Sequence, residues 1–254
     1  MAAASLQVEP RGSVLLLTID RPHVRNALDP TTLDALSGAI EASTADPIIR
    51  AIVLAGAGGA CFSAGMDLRA VQSGEPGIAA SIARFHDWMR SAERPPIVAA
   101  VQGLAVGGGF ELMLMCDLAV VADDARFGLP EVSRGLVPGG GATLLPARIP
   151  LSAALEIGMT GEFFDADRAR QLGLVNRVVP ASTVLDRAIE LAVQLAAQPR
   201  ATLARIRHLM TLTATEGPAA SHEAARKLGS NEHLRAEAAE GVARFLAARQ
   251  SKAT

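Results

Sequence analysis

Lysine is almost missing from this chain: of 254 residues only Lys227 and Lys252 are lysines, and the other basic residues are arginines. Acids and bases are interspersed, the formal net charge is -2, and no basic block of the kind that tracks a phosphate backbone occurs. Nucleic acid is not an expected partner. Cysteine is as scarce, and Cys61 and Cys116 lack metal-ligand spacing, so they read as free thiols rather than as a disulfide or a metal centre. Long apolar runs are absent too. The uncharged run from Pro95 to Phe110 falls short of the ~20 residues a bilayer span needs and is interrupted by four glycines, so no membrane span is expected. The opening MAAASLQVEPRGS has neither the basic start nor the apolar stretch of a secretory signal, which leads to the expectation of a cytoplasmic protein.

Several catalytic signatures are missing as well. No GxSxG elbow exists, so the usual serine nucleophile of α/β-hydrolases has no candidate. Neither lysine follows a glycine as a phosphate-binding P-loop requires, and HEAAR at His222 lacks the second histidine of a zinc site. GAGGAC from Gly56 nearly matches the dinucleotide fingerprint, but cysteine stands at 61 where the third glycine belongs. No internal repeat or long linker divides the chain.

What is present is a core. Half of the residues are hydrophobic, and a chain of this length can bury roughly 70–75% of its unfolded surface. SVLLLTID (Ser13 to Asp20), IIRAIVLAG (Ile48 to Gly56), PIVAAVQG (Pro96 to Gly103) and DLAVVAD (Asp117 to Asp123) are short apolar runs bounded by turn residues, the pattern of buried strands. Between them TTLDALSGAIEAS and GIAASIARFHDWMRSAE carry apolar residues at three- and four-residue spacing, which predicts amphipathic helices. After LVNRVVP (Leu174 to Pro180) strand signals fade and Ala, Leu, Arg and Glu dominate. An α/β core over 1–180 is expected, followed by a helical region over 181–254 that packs on its own core or on a neighbouring subunit.

The stretch QGLAVGGGFELMLMCD puts Gly107 to Gly109 between a strand and a helix. The first N–H groups of a helix lack internal partners and that end is partially positive, so an anion or a developing oxyanion is favoured there. A glycine without Cβ lets a ligand approach the backbone closely, although for an isolated triplet a tight turn or close packing is the favoured explanation. IVLAGAGGACFSAGMDL (Ile52 to Leu68) repeats the pattern, running from a strand through small residues to a helix start near Met66 and Asp67. Two carboxylates follow. Glu111 stands in the first turn of the glycine-led helix, and Glu131 follows Pro130 in RFGLPEVSRGLVPGGG. Each is favourable at a helix start by about 0.3–1 kcal/mol without any catalytic role. Both have apolar neighbours, and two carboxylates converging in an apolar cleft are driven to different proton affinities, one an acid and the other a base.

FSAGMDL, VQGLAVGGGFELMLMCDLAVVAD, ARFGLPEVSRGLVPGGG and EFFDADRARQLGLVNRVVP, in this order and spacing, resemble the successive signatures of the crotonase family, the enoyl-CoA hydratases and isomerases. DRPHVRNALD and EGVARFLAAR resemble that family's substrate loop and C-terminal segment. The resemblance implies a crotonase-like α/β fold, a spiral of ββα units in two sheets, with a helical C-terminal region that builds a homotrimer or a dimer of trimers. It implies an acyl-CoA thioester as ligand, with no cofactor beyond the coenzyme A the substrate carries. By motif position the oxyanion hole falls on the N–H groups of Met66 and Gly108, and the catalytic pair on Glu111 and Glu131. Substrate-binding positions carried over are Arg25, Ala64, Gly65, Asp67, Leu68, Gly107, Pro138 and Gly139, together with Trp88 on the helix bordering the acyl chain, where core packing is an equal alternative. Hydration of a trans-2-enoyl-CoA is the reading with both glutamates present. Isomerisation, decarboxylation, thioester hydrolysis and non-catalytic acyl-CoA binding stay open beside it. The sequence departs from the family pattern at His23, where lysine is common, and at Leu144 and Leu145, which replace a polar pair.

Overall fold

From Ala51 to Gly128 successive strands enter alternate sheets. The computed structural model describes residues 5–73 and 77–229, with 238–239, 241–243 and 246–247 of the C-terminal stretch. EGVARFLAAR lies largely outside the described residues. In chain order the elements are β1 (Leu6–Arg11), β2 (Val14–Ile19), α1 (Pro30–Ala45), β3 (Ala51–Gly56), β4 (Cys61–Ser63), α2 (Leu68–Gln72), α3 (Ile78–Arg90), β5 (Ile97–Val101), β6 (Leu104–Val106), α4 (Gly108–Met115), β7 (Leu118–Ala122) and β8 (Arg126–Gly128). They continue with α5 (Gly139–Leu144), α6 (Leu151–Thr160), β9 (Phe164–Asp165), α7 (Ala166–Gln171), β10 (Arg177–Val179), α8 (Val184–Ala196), α9 (Arg200–Glu216) and α10 (Pro218–Gly229).

Among the described residues one sheet runs β1-β2-β3-β5-β7-β10 and the other β4-β6-β8-β9. All neighbours pair in parallel except β1 with β2 and β8 with β9. The pairs β3–β4, β5–β6 and β7–β8 therefore repeat one move, a long apolar strand into the first sheet and a three-residue strand into the second. This is the ββα spiral of a crotonase-like α/β fold. The long strands AIVLAG, IVAAV and LAVVA are buried on both faces, which is why they read as continuous apolar runs rather than as alternation. Helix α8 packs against β3, β5 and β7.

The chain divides into two compact units, Met1–Arg205 and Ile206–Thr254. Of the helical stretch after residue 181, α8 lies in the first unit and α10 in the second.

Arg94 is 3% exposed and anchors the start of β5. Its guanidinium donates to Asp117 Oδ2 at 2.6 Å, to Asp117 Oδ1 at 3.2 Å and to the carbonyls of Met89 and Pro95, while Asp117 also accepts from the N–H of Ile97. Removing one partner of a buried pair leaves an uncompensated charge, so Arg94→Ala is expected to cost about 3–5 kcal/mol of stability in denaturant unfolding. A loss below ~1 kcal/mol would show that water replaces the guanidinium at little cost.

Candidate functional site

Because β4, β6 and β8 are parallel neighbours in the second sheet, their carboxyl ends lie side by side. The segments that follow, Ala64–Met66, Gly107–Gly108 and Leu129–Glu131, therefore meet at one edge, the place where parallel sheets hold ligands. A cavity of about 850 Å³ opens there.

The first segment is stitched to the loop before α1. Arg25 and Asn26 hold left-handed backbone conformations with φ of 55° and 54°, uncommon for residues with side chains. Asn26 is fully buried, and its amide donates to the carbonyls of Ala57 and Cys61 while its oxygen accepts from the N–H of Arg21. Arg21 pairs with Asp29 at 2.9 Å and Asp67 at 3.3 Å, tying the two loops together. The N–H of Leu28 donates to Gly65 O and that of Asp67 donates to Leu28 O, so this bridge steps over the N–H of Met66.

The second segment turns at Gly107, whose φ is 55°. Gly107 donates to Gly128 O, and Glu111 donates to Gly107 O, so Gly108 begins α4 with its N–H ahead of the first helical bond. A Cβ built on Gly108 would lie 3.3 Å from the nitrogen of Met66, so the two segments are in close contact, and both residues line the cavity. Gly65 does not line the cavity but supports it from below, where its own Cβ would come within 2.6 Å of the nitrogen of Gly108.

Both carboxylates reach the cavity, and each rests against bare backbone. The carboxylate of Glu111 accepts from the N–H of Gly141 at 2.7 Å, and a Cβ on Gly140 would sit 2.9 Å from its carboxyl carbon. A Cβ on Gly107 would sit 2.8 Å from Oε1 of Glu131. Oε2 of Glu131 is buried without a hydrogen-bond partner among the described residues. Burial raises the proton affinity of Glu131 above the ordinary carboxylate value, its own backbone N–H opposes this, and the charge of Glu111 adds to the rise. Burial thus favours the protonated form of Glu131.

Arg25, Ala64, Asp67, Leu68, Pro138 and Gly139 also line the cavity, with Arg25, Arg69 and Arg134 exposed at its rim. Trp88 does not. Phe85, Trp88 and Met89, at three- and four-residue spacing on α3, do not act as one face: Phe85 lines the cavity, Met89 is buried in the core, and Trp88 packs half-buried against the core. The face that α3 presents to the cavity is instead Ile82, Phe85 and His86, at i, i+3 and i+4. His86, Arg134, Phe163 and the N–H of Gly141 are site features that the sequence reading passes over. The signal for His86 was available, since it shares the helical face of Ile82 as well as Trp88 shares that of Phe85. Leu144 is partly buried against the core and Leu145 is 1% exposed, so the departure from the polar pair serves packing. His23 is exposed and away from the cavity lining.

The family model described as Enoyl-CoA hydratase/isomerase matches residues 9–253. The chain belongs to this family. A probable enoyl-CoA hydratase of Rhizobium meliloti (strain 1021) is 36% identical over 259 residues, covering 99% of this chain and 98% of that protein. A carnitinyl-CoA dehydratase of Salmonella arizonae is 38% identical over 217 residues, covering 82% of this chain and 81% of the relative. Among solved structures, the enoyl-CoA hydratase of Mycobacterium tuberculosis H37Rv superposes with a TM-score of 0.85 at 34% identity, over 95% of this chain and 97% of that one. The crotonase fold is thus shared along nearly the whole chain, while the names of the relatives differ in acyl group. No helix among the described residues is long and apolar enough to cross a membrane.

Proposed function

We propose that this chain is an enoyl-CoA hydratase, adding water reversibly to a trans-2-enoyl-CoA to give a 3-hydroxyacyl-CoA. The observation that carries the reading is that Glu111 and Glu131 line the same cavity as Met66 and Gly108. In this reading the thioester oxygen accepts from both N–H groups, Glu111 takes a proton from water as its oxygen bonds to C3, and the electrons of the double bond move toward the thioester oxygen. Glu131 then gives its proton to C2, and proton exchange with solvent returns the pair to its starting state. General acid–base assistance of this kind supplies ~10²–10⁴ in rate. Arg25, Ala64, Asp67, Leu68, Gly107, Pro138 and Gly139 hold the thioester, with Gly65 packed beneath Gly108, and coenzyme A enters as part of the substrate.

The test is incubation with trans-2-enoyl-CoA thioesters of graded length. Loss of conjugated absorbance with a mass gain of one water is expected. A moved double bond at unchanged mass would make the protein an isomerase, and tight binding without turnover would make it an acyl-CoA-binding protein. We assign the assembly as a homotrimer or a dimer of trimers of a cytoplasmic enzyme, for which light scattering should give three or six times 26.3 kDa. A strict monomer at micromolar concentration would remove the trimer.

A further inference from the structure

Two helices contribute to the wall of the cavity. Along α4 the residues Gly108, Glu111, Leu112 and Met115 face it, at helical spacing, so the wall extends about 10 Å from the oxyanion end at the 1.5 Å rise of a helix. Helix α3 contributes Ile82, Phe85 and His86 to the same cavity. Leu112, Met115, Ile82 and Phe85 make this an apolar channel for an acyl chain, and His86 is the polar exception on the α3 wall.

That exception is costly for a plain hydrocarbon ligand. His86 is partly buried, and no described side chain or backbone group hydrogen-bonds its ring, which lies tilted beside that of Phe85 at a 6.3 Å centroid distance. Covering an imidazole with an alkyl chain strips its water and returns no hydrogen bond. An acyl chain carrying its own oxygen would return that bond. Burial lowers the pKa of His86, the nearby Arg90 lowers it further, and Glu111 and Asp87 oppose the change. Burial and Arg90 thus favour the neutral ring, which offers one donor and one acceptor nitrogen, suited to a hydroxyl or carbonyl rather than to an ion.

The geometry points to His86 as a specificity residue that selects enoyl and 3-hydroxyacyl thioesters bearing a hydroxyl or carbonyl oxygen further along the acyl chain. This rests on the hydratase reading for its substrate class. Selection by such a group is asymmetric: a site that hydrogen-bonds a substrate oxygen rejects the analogue lacking it far more strongly than an apolar pocket rejects an added hydroxyl.

The experiment compares matched pairs of trans-2-enoyl-CoA of equal length, plain or carrying one hydroxyl or carbonyl at C5 or C6, on wild type, His86→Leu and His86→Gln. The wild type is expected to favour the oxygenated member in kcat/KM. The ratio should fall at least tenfold in His86→Leu and recover in part in His86→Gln, whose amide keeps a donor and an acceptor. A parallel calorimetric titration uses the saturated thioesters of the same pairs, which bind without chemistry. There the same ratio should appear and fall even if no enoyl substrate is hydrated, so the failure of the hydratase reading is seen apart from this one. A wild type that prefers plain chains in both measurements, or a ratio that His86→Leu leaves unchanged, overturns the assignment.

Discussion

Glu111→Gln and Glu131→Gln are each expected to lower hydratase turnover by ~10² or more while acyl-CoA binding changes little. The amide keeps the shape of each side chain, so Gly107, Gly140 and Gly141 still contact it, and what is lost is the ability to move a proton. The two variants should also fail together. If Glu111 takes the proton of water and Glu131 supplies one to C2, a double variant falls little below the worse single one, because the residues act as a unit. Wild-type turnover in either single variant on the best substrate would remove that residue from the chemistry.

The same pair fixes the pH dependence. Hydration needs Glu111 ionised with Glu131 protonated, and dehydration needs the reverse. These are two arrangements of one shared proton, so kcat/KM should follow the same bell in both directions. Activity is lost on the acid side as a second proton is bound and on the basic side as the shared proton leaves. The raised proton affinity of Glu131, caused first by burial, moves the basic limb above the ordinary carboxylate range. Substrate that expels water from the cavity deepens that burial and moves the limb further in kcat. A basic limb in the ordinary carboxylate range in both parameters would contradict the assignment of Glu131 as the acid.

The long strands were legible because each is buried on both faces: AIVLAG, IVAAV and LAVVA are apolar without interruption. The helices α1 and α3 were legible from their spacing. β1 was not, since five of its six residues are exposed at the edge of the sheet and leave no apolar pattern. β4, β6 and β8 were not either, being three residues each and embedded in the glycine-rich stretches that read as loops. Yet these three strands bring the site together. The sequence reading reached Met66, Gly108, Glu111 and Glu131 through resemblance and through the pairing of glycine loops with helix starts, without seeing the sheet that aligns them. Contacts made by backbone atoms across distant segments, such as Gly141 N–H to Glu111, leave almost no mark in side-chain patterns. Trp88 failed to reach the cavity for a related reason. A helical face is a full stripe, and which edge of it meets a cavity depends on the packing of α3, not on residue size.

A graded series of added methyl groups tests the oxyanion hole itself, where deleting a side chain is uninformative. Gly65→Ala places a Cβ 2.6 Å from the nitrogen of Gly108 and 3.1 Å from that of Gly109, at a φ of 85° that side chains rarely adopt. The backbone must move, and the N–H of Gly108 moves with it. Loss of one such donor costs ~10²–10³ in rate, and overpacking adds about 1–3 kcal/mol of destabilisation. Gly108→Ala meets Gly65 Cα and Met66 N at 3.3 Å, a contact that a few tenths of an ångström relieve, so a smaller loss is expected. Gly38→Ala, inside α1 with nothing within 4 Å, adds the same methyl with no neighbour to displace and should stabilise by about 0.5–1 kcal/mol at wild-type activity. The losses should fall on kcat rather than KM, because the donors matter most as negative charge develops on the thioester oxygen. A folded Gly65→Ala protein with wild-type kcat would mean that the oxygen does not depend on the N–H of Gly108, and the hole would have to be sought elsewhere along the carboxyl ends of β4, β6 and β8.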